Sequence, residues 1–276
     1  MKKLLAFLLA GVSGLAAAQT PARNPMPDGS GDMYVGLGAS VQPRYEGASE
    51  HRTRAAPLLQ VEFSNGVFLS GMQAGWHLAR QAALECGPLL AVHAGRDESG
   101  GRGGVIDVFP AFVSSDRASL TGNRLAGQPE IKARLTGGAF LNYYLAPRLR
   151  LNNSVLYGAG GDGLAWEASV QAMAAPMASP HRLSLSAGVT LVNRAYSQAF
   201  FGVPAERLRA PGVVTYSPDG GVKDLFVVAR WNWALSPAWI VSSSVRAQRL
   251  SGDARNSPLV ERSGQISITS GLAHRF

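Results

Sequence analysis

Residues 265–276 read QISITSGLAHRF and end the chain. The even positions are Ile266, Ile268, Ser270, Leu272, His274 and Phe276. The odd positions are Gln265, Ser267, Thr269, Gly271, Ala273 and Arg275. Side chains of a strand point to opposite faces in turn, so one face here is mostly apolar and the other small and polar. In an outer membrane the apolar face meets lipid and the polar face lines the lumen. The same period recurs upstream. Leu225, Val227, Ala229, Trp231, Trp233 and Leu235 alternate with Asp224, Arg230 and Asn232, although Phe226 and Val228 share that second face. Trp239, Val241, Ser243, Val245 and Ala247 form another outward set. Leu183 to Leu191 and Leu149 to Tyr157 alternate in the same way. A helix would repeat its apolar residues every three to four positions, and none of these runs does.

Composition agrees with a membrane barrel. Hydrophobic residues make up 46% of the 276 residues and charged ones 16%, a low charge fraction for an exported soluble domain. The first residues, MKKLLAFLLAGVSGLAAAQ, carry a basic start, a short apolar stretch and small residues at Ala16-Ala17-Ala18. They predict a signal peptide over residues 1–18, cleaved before Gln19. The stretch is too short for a retained membrane helix, and no cysteine marks a lipoprotein. Residues 19–32, rich in Pro and Gly, read as a flexible periplasmic leader, and 33–276 as the barrel. Removing Lys2 and Lys3 lowers the net charge from +8 to +6. That charge is dispersed, without basic clusters interleaved with aromatics, so nucleic acid is not an expected partner. Cys86 is the single cysteine, so no intramolecular disulfide forms. It falls on an outward strand face as an ordinary small apolar residue.

Turn signals divide the chain. Short ones are Asn65-Gly66, Ala146-Pro147, Ser179-Pro180 and Ser236-Pro237. Asn-Gly is a strong hairpin signal because both residues tolerate positive φ. Longer connections fall near 43–55, 77–83, 114–130, 158–163, 194–221 and 251–264. With both ends periplasmic, this predicts an all-β, antiparallel up-and-down barrel of twelve strands: 33–42, 56–64, 67–76, 84–94, 105–113, 131–145, 148–157, 164–174, 181–193, 222–235, 239–250 and 265–276. Outer-membrane barrels combine short periplasmic turns with longer outer loops. The Gly-rich connection 95–104 is the exception, being long on the short-turn side. The weakest strand is 105–113, which contains Pro110; an even strand number argues for it. Ten and fourteen strands are the alternatives.

Aromatic residues suggest two membrane girdles. Tyr143, Trp233, Trp239 and Phe276 lie near the periplasmic ends; Trp76, Tyr157 and Trp166 lie near the opposite ends. The same parity sends Glu62, Glu85, His93, Asp107, Lys132, Arg134, Arg150, Glu167, Arg182, Asp224, Arg230, Arg246 and Arg275 into the lumen. Two readings stand: these charges pair across the interior, or they line a small polar channel. The basic members Lys132, Arg134, Arg150, Arg182, Arg230 and Arg246 outnumber the lumen acids and give an open interior an anion preference.

Chemistry finds little support. The five histidines are scattered, and no HExxH occurs. His51 and Glu50 sit near Ser40 and Ser49, but a triad needs convergence in space, not proximity in sequence. Asp28, Asp32, Asp97, Glu98 and Asp219 lack the spacing of a calcium loop. No catalytic residue, metal or cofactor is expected.

Several segments resemble the MipA/OmpV family of MltA-interacting proteins. The opening YVGLGASVQPRYEGASEHRTRAAPLLQVEFSNGVFLS resembles the family's first strand, its Pro-x-Tyr-x-Gly loop (here Pro43, Tyr45, Gly47) and the next hairpin. LNYYLAP follows. YSQAFFGVPAERLRAPGVVTYSPDGGVKDL resembles the long family loop, through Tyr196, Phe201, Gly202, Val203, Tyr216, Gly221 and Lys223-Asp224-Leu225. Gly252, Asp253, Ala254, Ser257, Pro258 and Leu259 resemble the terminal hairpin. The frequent Tyr-x-Phe ending is His274-Arg275-Phe276 here. The resemblance spans about 31–276 and fits loosely over 95–130. It implies an outer-membrane protein in lipid and lipopolysaccharide, delivered by the barrel-assembly machinery through its C-terminal strand. It also implies either a scaffold joining a murein hydrolase to a murein synthase, or a small porin or solute- and stress-responsive surface protein. No catalytic residues are implied.

Overall fold

The computed structural model describes residues 33–63, 65–80, 83–93, 95–98, 100, 124–158, 163–174, 180–204 and 214–276. The expected signal peptide, leader and strand 105–113, with Asp107, lie outside them. The strands are β1 (Tyr34–Pro43), β2 (His51–Glu62), β3 (Val67–Ser70), β4 (Gln73–Trp76), β5 (Ala79–Arg80) and β6 (Leu84–His93). They continue as β7 (Arg134–Ala146), β8 (Leu149–Gly158), β9 (Gly163–Met173), β10 (His181–Val192), β11 (Gly221–Ala234), β12 (Trp239–Leu250) and β13 (Gly264–Arg275). Two helices lie in long connections: α1 (Arg194–Phe201) and α2 (Gly252–Asn256). No described helix is long and apolar enough to cross a membrane.

Each strand pairs antiparallel with its neighbours, and β13 returns to β1 with Tyr34 opposite Arg275 and Val41 opposite Ile268. The strand order thus closes on itself into a barrel, the form in which a sheet spans lipid. Thirteen segments make twelve staves, because β4 and β5 lie end to end along one edge of β6. Outward residues include Leu37, Leu135, Leu185, Leu225, Ile266 and Leu272, all exposed, as a lipid-facing wall requires.

Twelve is the expected number, but two staves arise differently. Residues 67–76 form a hairpin, not one strand, with Val67 opposite Trp76 and Ser70 opposite Gln73. Its two-residue turn places Gly71 at φ +56°, and glycine as the first residue suits such a turn. On the far side, β6 pairs directly with β7, His93 opposite Arg134 and Leu84 opposite Tyr143. No strand therefore sits between them, and β6 runs opposite to its expected direction. Residues 77–80, part of the expected outer connection 77–83, belong to the β4–β5 stave. The long connection 94–133 moves to the long-loop end, so the exception at 95–104 disappears. The connections between β7 and β8 and between β11 and β12 lie at the same end as Tyr34 and Phe276, whereas the Gly71-Met72 turn points the other way.

Candidate functional site: the capped mouth and the lumen

At the long-loop end, four connections converge into a cap. Asn193 starts α1: its Oδ1 accepts from Tyr196 N at 3.0 Å, a donor that a helix start leaves open, and from Leu164 N of β9 at 2.9 Å. The other end of α1 is held by Arg96, whose Nη1 donates to Phe200 O and whose Nη2 donates to Ala199 O. Ser257 Oγ donates to Phe201 O at 2.6 Å. Phe201 and Leu125 are 0% exposed. Phe201 belongs to an apolar cluster with Ile131, Val192, Tyr196, Phe200, Leu250 and Ala254. A second cluster joins Tyr45, Ala48, Leu125, Val203 and Leu259. Gly47, at φ +99°, accepts from Glu261 N and Arg262 N through its carbonyl. A Cβ there would press on Val260, which is why the Pro43-x-Tyr45-x-Gly47 loop ends in glycine.

The cap is electrostatically tied. Glu261 accepts from Ser49 and from the Tyr45 hydroxyl. Burial alone would raise the Glu261 carboxyl, but those donors and Arg124 hold it below the usual range. Tyr45 is pushed up, first by burial and then by Glu261.

Below the cap lies a layer of charges. Lys223 Nζ donates to Glu46 Oε1 at 2.5 Å and lies 3.1 Å from Asp224 Oδ2. Asp224 also accepts from Thr190 Oγ1 at 3.0 Å. Arg246 reaches Glu167 at 3.2 Å and Asp224 at 4.0 Å, and stacks over the Phe226 ring at 3.9 Å. Partial burial would raise the Glu46 carboxyl, but the Lys223 ammonium outweighs this and lowers it. Strict alternation puts Lys223 on the lipid face. Instead β11 carries a bulge: Thr190 faces Asp224 while Leu191 faces Val222, so Lys223 is the extra residue. A bulge re-aims a side chain, and both Lys223 and Asp224 enter the lumen. Lys223 and Glu46 were not legible as lumen residues; the family-like Lys223-Asp224-Leu225 segment was their nearest signal.

The remaining expected lumen residues divide by height. Glu62, Glu85, Arg150, Glu167, Arg230 and Arg246 line one cavity of about 230 Å³. His93 lines a second, of about 320 Å³, between cap and charge layer. Arg150 donates to Gln171 Oε1 at 2.6 Å near the short-turn end. Arg182 and Arg275 are half-buried near that end. Arg134 begins β7 beside the cap. Lys132 precedes β7 and is exposed. Among the described residues no group of three metal-ligating side chains occurs.

Outward aromatics mark both ends. Trp233, Trp239 and Phe276 are exposed at the short-turn end, with Tyr143 half-buried, while Tyr157 and Trp166 are exposed at the other. Trp76 belongs to the short-turn end, contrary to its expected place. As the last residue of a hairpin it returns to that rim, where its Nε1 donates to Asn65 O at 2.9 Å.

A closed antiparallel ring, apolar outside and polar inside, defines an outer-membrane β-barrel of a Gram-negative bacterium. Its surroundings are lipid and lipopolysaccharide, and its route is the barrel-assembly machinery. A family model described as MltA-interacting protein MipA matches residues 35–276, and the chain belongs to this MipA/OmpV family. Among curated proteins none matches. Similar solved structures include Neisserial surface protein A (12% identity, 90% of this chain and 98% of that one, TM-score 0.30). The CymD monoaromatic hydrocarbon channel is similar at 13% identity, 89% and 88% coverage and TM-score 0.38. The N-terminal barrel domain of Pseudomonas aeruginosa OprF is similar at 14% identity, 51% and 87% coverage and TM-score 0.27.

Proposed function

We propose that this protein is a closed, non-conducting outer-membrane barrel that serves as a structural partner of murein-processing enzymes, a hydrolase and a synthase. The cap carries the first half of this reading. Fully buried Phe201 and Leu125 and the layer of Lys223, Asp224, Glu46 and Arg246 lie across the path a solute would take. Lumen charges that satisfy one another favour a sealed interior over an ion path. The printed family description, MltA-interacting protein, supports the second half. In this reading the short-turn end and the leader 19–32 face the periplasm and meet the partner. Capture of a purified murein hydrolase by the detergent-solubilised protein tests it. Specific retention supports the scaffold, and its absence at high protein concentration counts against it.

A second reading, a narrow porin-like channel with mild anion preference, draws on the two luminal cavities of about 230 and 320 Å³. Steady anion-selective conductance without a partner would favour it.

A further inference from the structure

We propose that the luminal cavity toward the short-turn end is a binding site for a small neutral polyol, held by polar side chains against the rings of Phe68, Phe140 and Phe226. The cavity measures about 230 Å³, below a typical drug pocket and suited to a compact solute. Its wall is rich in groups that both donate and accept: the amides of Gln60, Gln73, Asn142 and Asn152, and the hydroxyls of Ser154 and Ser186. A polyol is their complement, because each of its hydroxyls also donates and accepts. Charge does not select an ion here. Among the described lining residues Glu62, Glu85 and Glu167 are matched in number by Arg150, Arg230 and Arg246. Several of these are already engaged: Arg246 with Glu167, Arg150 with Gln171 and the Tyr144 hydroxyl, and Glu85 with Asn142. A neutral solute adds hydrogen bonds without breaking those pairs or burying a further charge.

Two buried polar atoms call for such a partner. Asn152 Nδ2 donates to Ser169 Oγ and to Gln171 Oε1, both at 3.4 Å. That fixes the amide, yet its Oδ1 forms no hydrogen bond with any described residue. His77 Nδ1 forms none either, and it stands 3.9 Å from Glu62 Oε1. A buried polar atom left without a hydrogen bond costs free energy. One ligand hydroxyl can span the gap between His77 and Glu62, donating to the carboxylate while it meets the imidazole. The rings complete the site. Phe68 and Phe140 meet edge to face at 5.5 Å, and His77 lies 4.8 Å from one and 5.3 Å from the other. Such rings take the C–H side of a polyol by apolar contact. The cavity lies inside the wall, so the ligand is a free solute and not a lipid headgroup. This inference stands apart from the scaffold reading.

Equilibrium dialysis of labelled myo-inositol against the full mature chain, folded in a detergent without a sugar headgroup, tests it. Saturable retention is expected. Two competitors probe the chemistry. Cyclohexanol keeps the ring with one hydroxyl, and myo-inositol phosphate adds negative charge. Each is expected to compete at least about tenfold more weakly than unlabelled myo-inositol, through lost hydrogen bonds in the first case and a buried charge in the second. His77→Phe keeps the ring and removes Nδ1. It is expected to weaken retention about fivefold, the size of one hydrogen bond, while heat-modifiable gel mobility confirms the fold. No retention, equal or stronger competition by either analogue, or undiminished retention by a folded His77→Phe overturns the proposal. If His77→Phe does not fold, the competition series on the parent protein still decides.

Discussion

Lys223 and Asp224 are neighbours in sequence, yet both side chains enter the barrel, with Nζ of one 3.1 Å from Oδ2 of the other. The β11 bulge makes this arrangement, and the 44–50 connection completes it by bringing Glu46 onto the same ammonium. One backbone irregularity thus ties the wall to the cap.

Removing the cation leaves Asp224, which is 0% exposed, beside Glu46 with its main countercharge lost. Lys223→Met is therefore expected to destabilise the barrel by about 3–5 kcal/mol. Urea unfolding in lipid vesicles, followed by gel mobility, measures this. An unchanged midpoint would contradict the role given to the bulge.

The cap should also answer to acid. Glu46 is held below its ordinary value of 4.5 by Lys223, and Glu261 is lowered by its donors. A carboxylate with a depressed folded pKa gives its full stabilisation above the unfolded value and loses it as pH falls through the folded one. Amide exchange in residues 44–50 and 257–262, corrected for intrinsic rate, is expected to stay slow from neutral pH down to about 4.5. It should accelerate only below that. Loosening between neutrality and that point would show that other groups hold the cap.

Much of the wall was legible, because a lipid-facing strand must alternate. The boundaries of β8, β10, β12 and β13 lie within a residue or two of those read from the period. Three features were hidden for definite physical reasons. The Gly71-Met72 turn divides a run whose alternation looks continuous, since a two-residue hairpin needs only one permissive glycine. The β11 bulge shifts Lys223 by one position without any special residue type. The cap depends on convergence of Tyr45, Leu125, Phe201 and Leu259, far apart in sequence. Glu62 and Glu85 line the cavity toward the short-turn end, and only the folded chain sets Phe68, His77 and Phe140 beside them.

Barrel closure depends on a seam of small residues. Gly38 faces Gly271 across β1 and β13, and a Cβ on Gly38 would stand 2.3 Å from Ser270 O. Backbone on a paired strand cannot yield cheaply. Gly38→Val is expected to cost about 1–3 kcal/mol and to lower the temperature at which the folded gel form disappears. Unaltered thermal mobility would show that the seam has slack.

The last residue offers an assembly test. Phe276 is 64% exposed on the lipid side, and its N–H donates to Met33 O at 3.1 Å. Arg275 faces the lumen side and is half-buried. Deleting Phe276 is expected to reduce the outer-membrane level severalfold, while Arg275→Gln leaves it near the parent's. Equal levels of all three proteins on immunoblots of outer-membrane fractions would contradict this.

Planar-bilayer recording of the purified mature protein tests the central claim, a barrel sealed by its own cap and charge layer. The account predicts no steady conductance at neutral pH in either orientation. Steps should appear once Lys223→Met loosens the tie between Glu46 and Asp224. A steady, anion-selective current through the unaltered protein would contradict it.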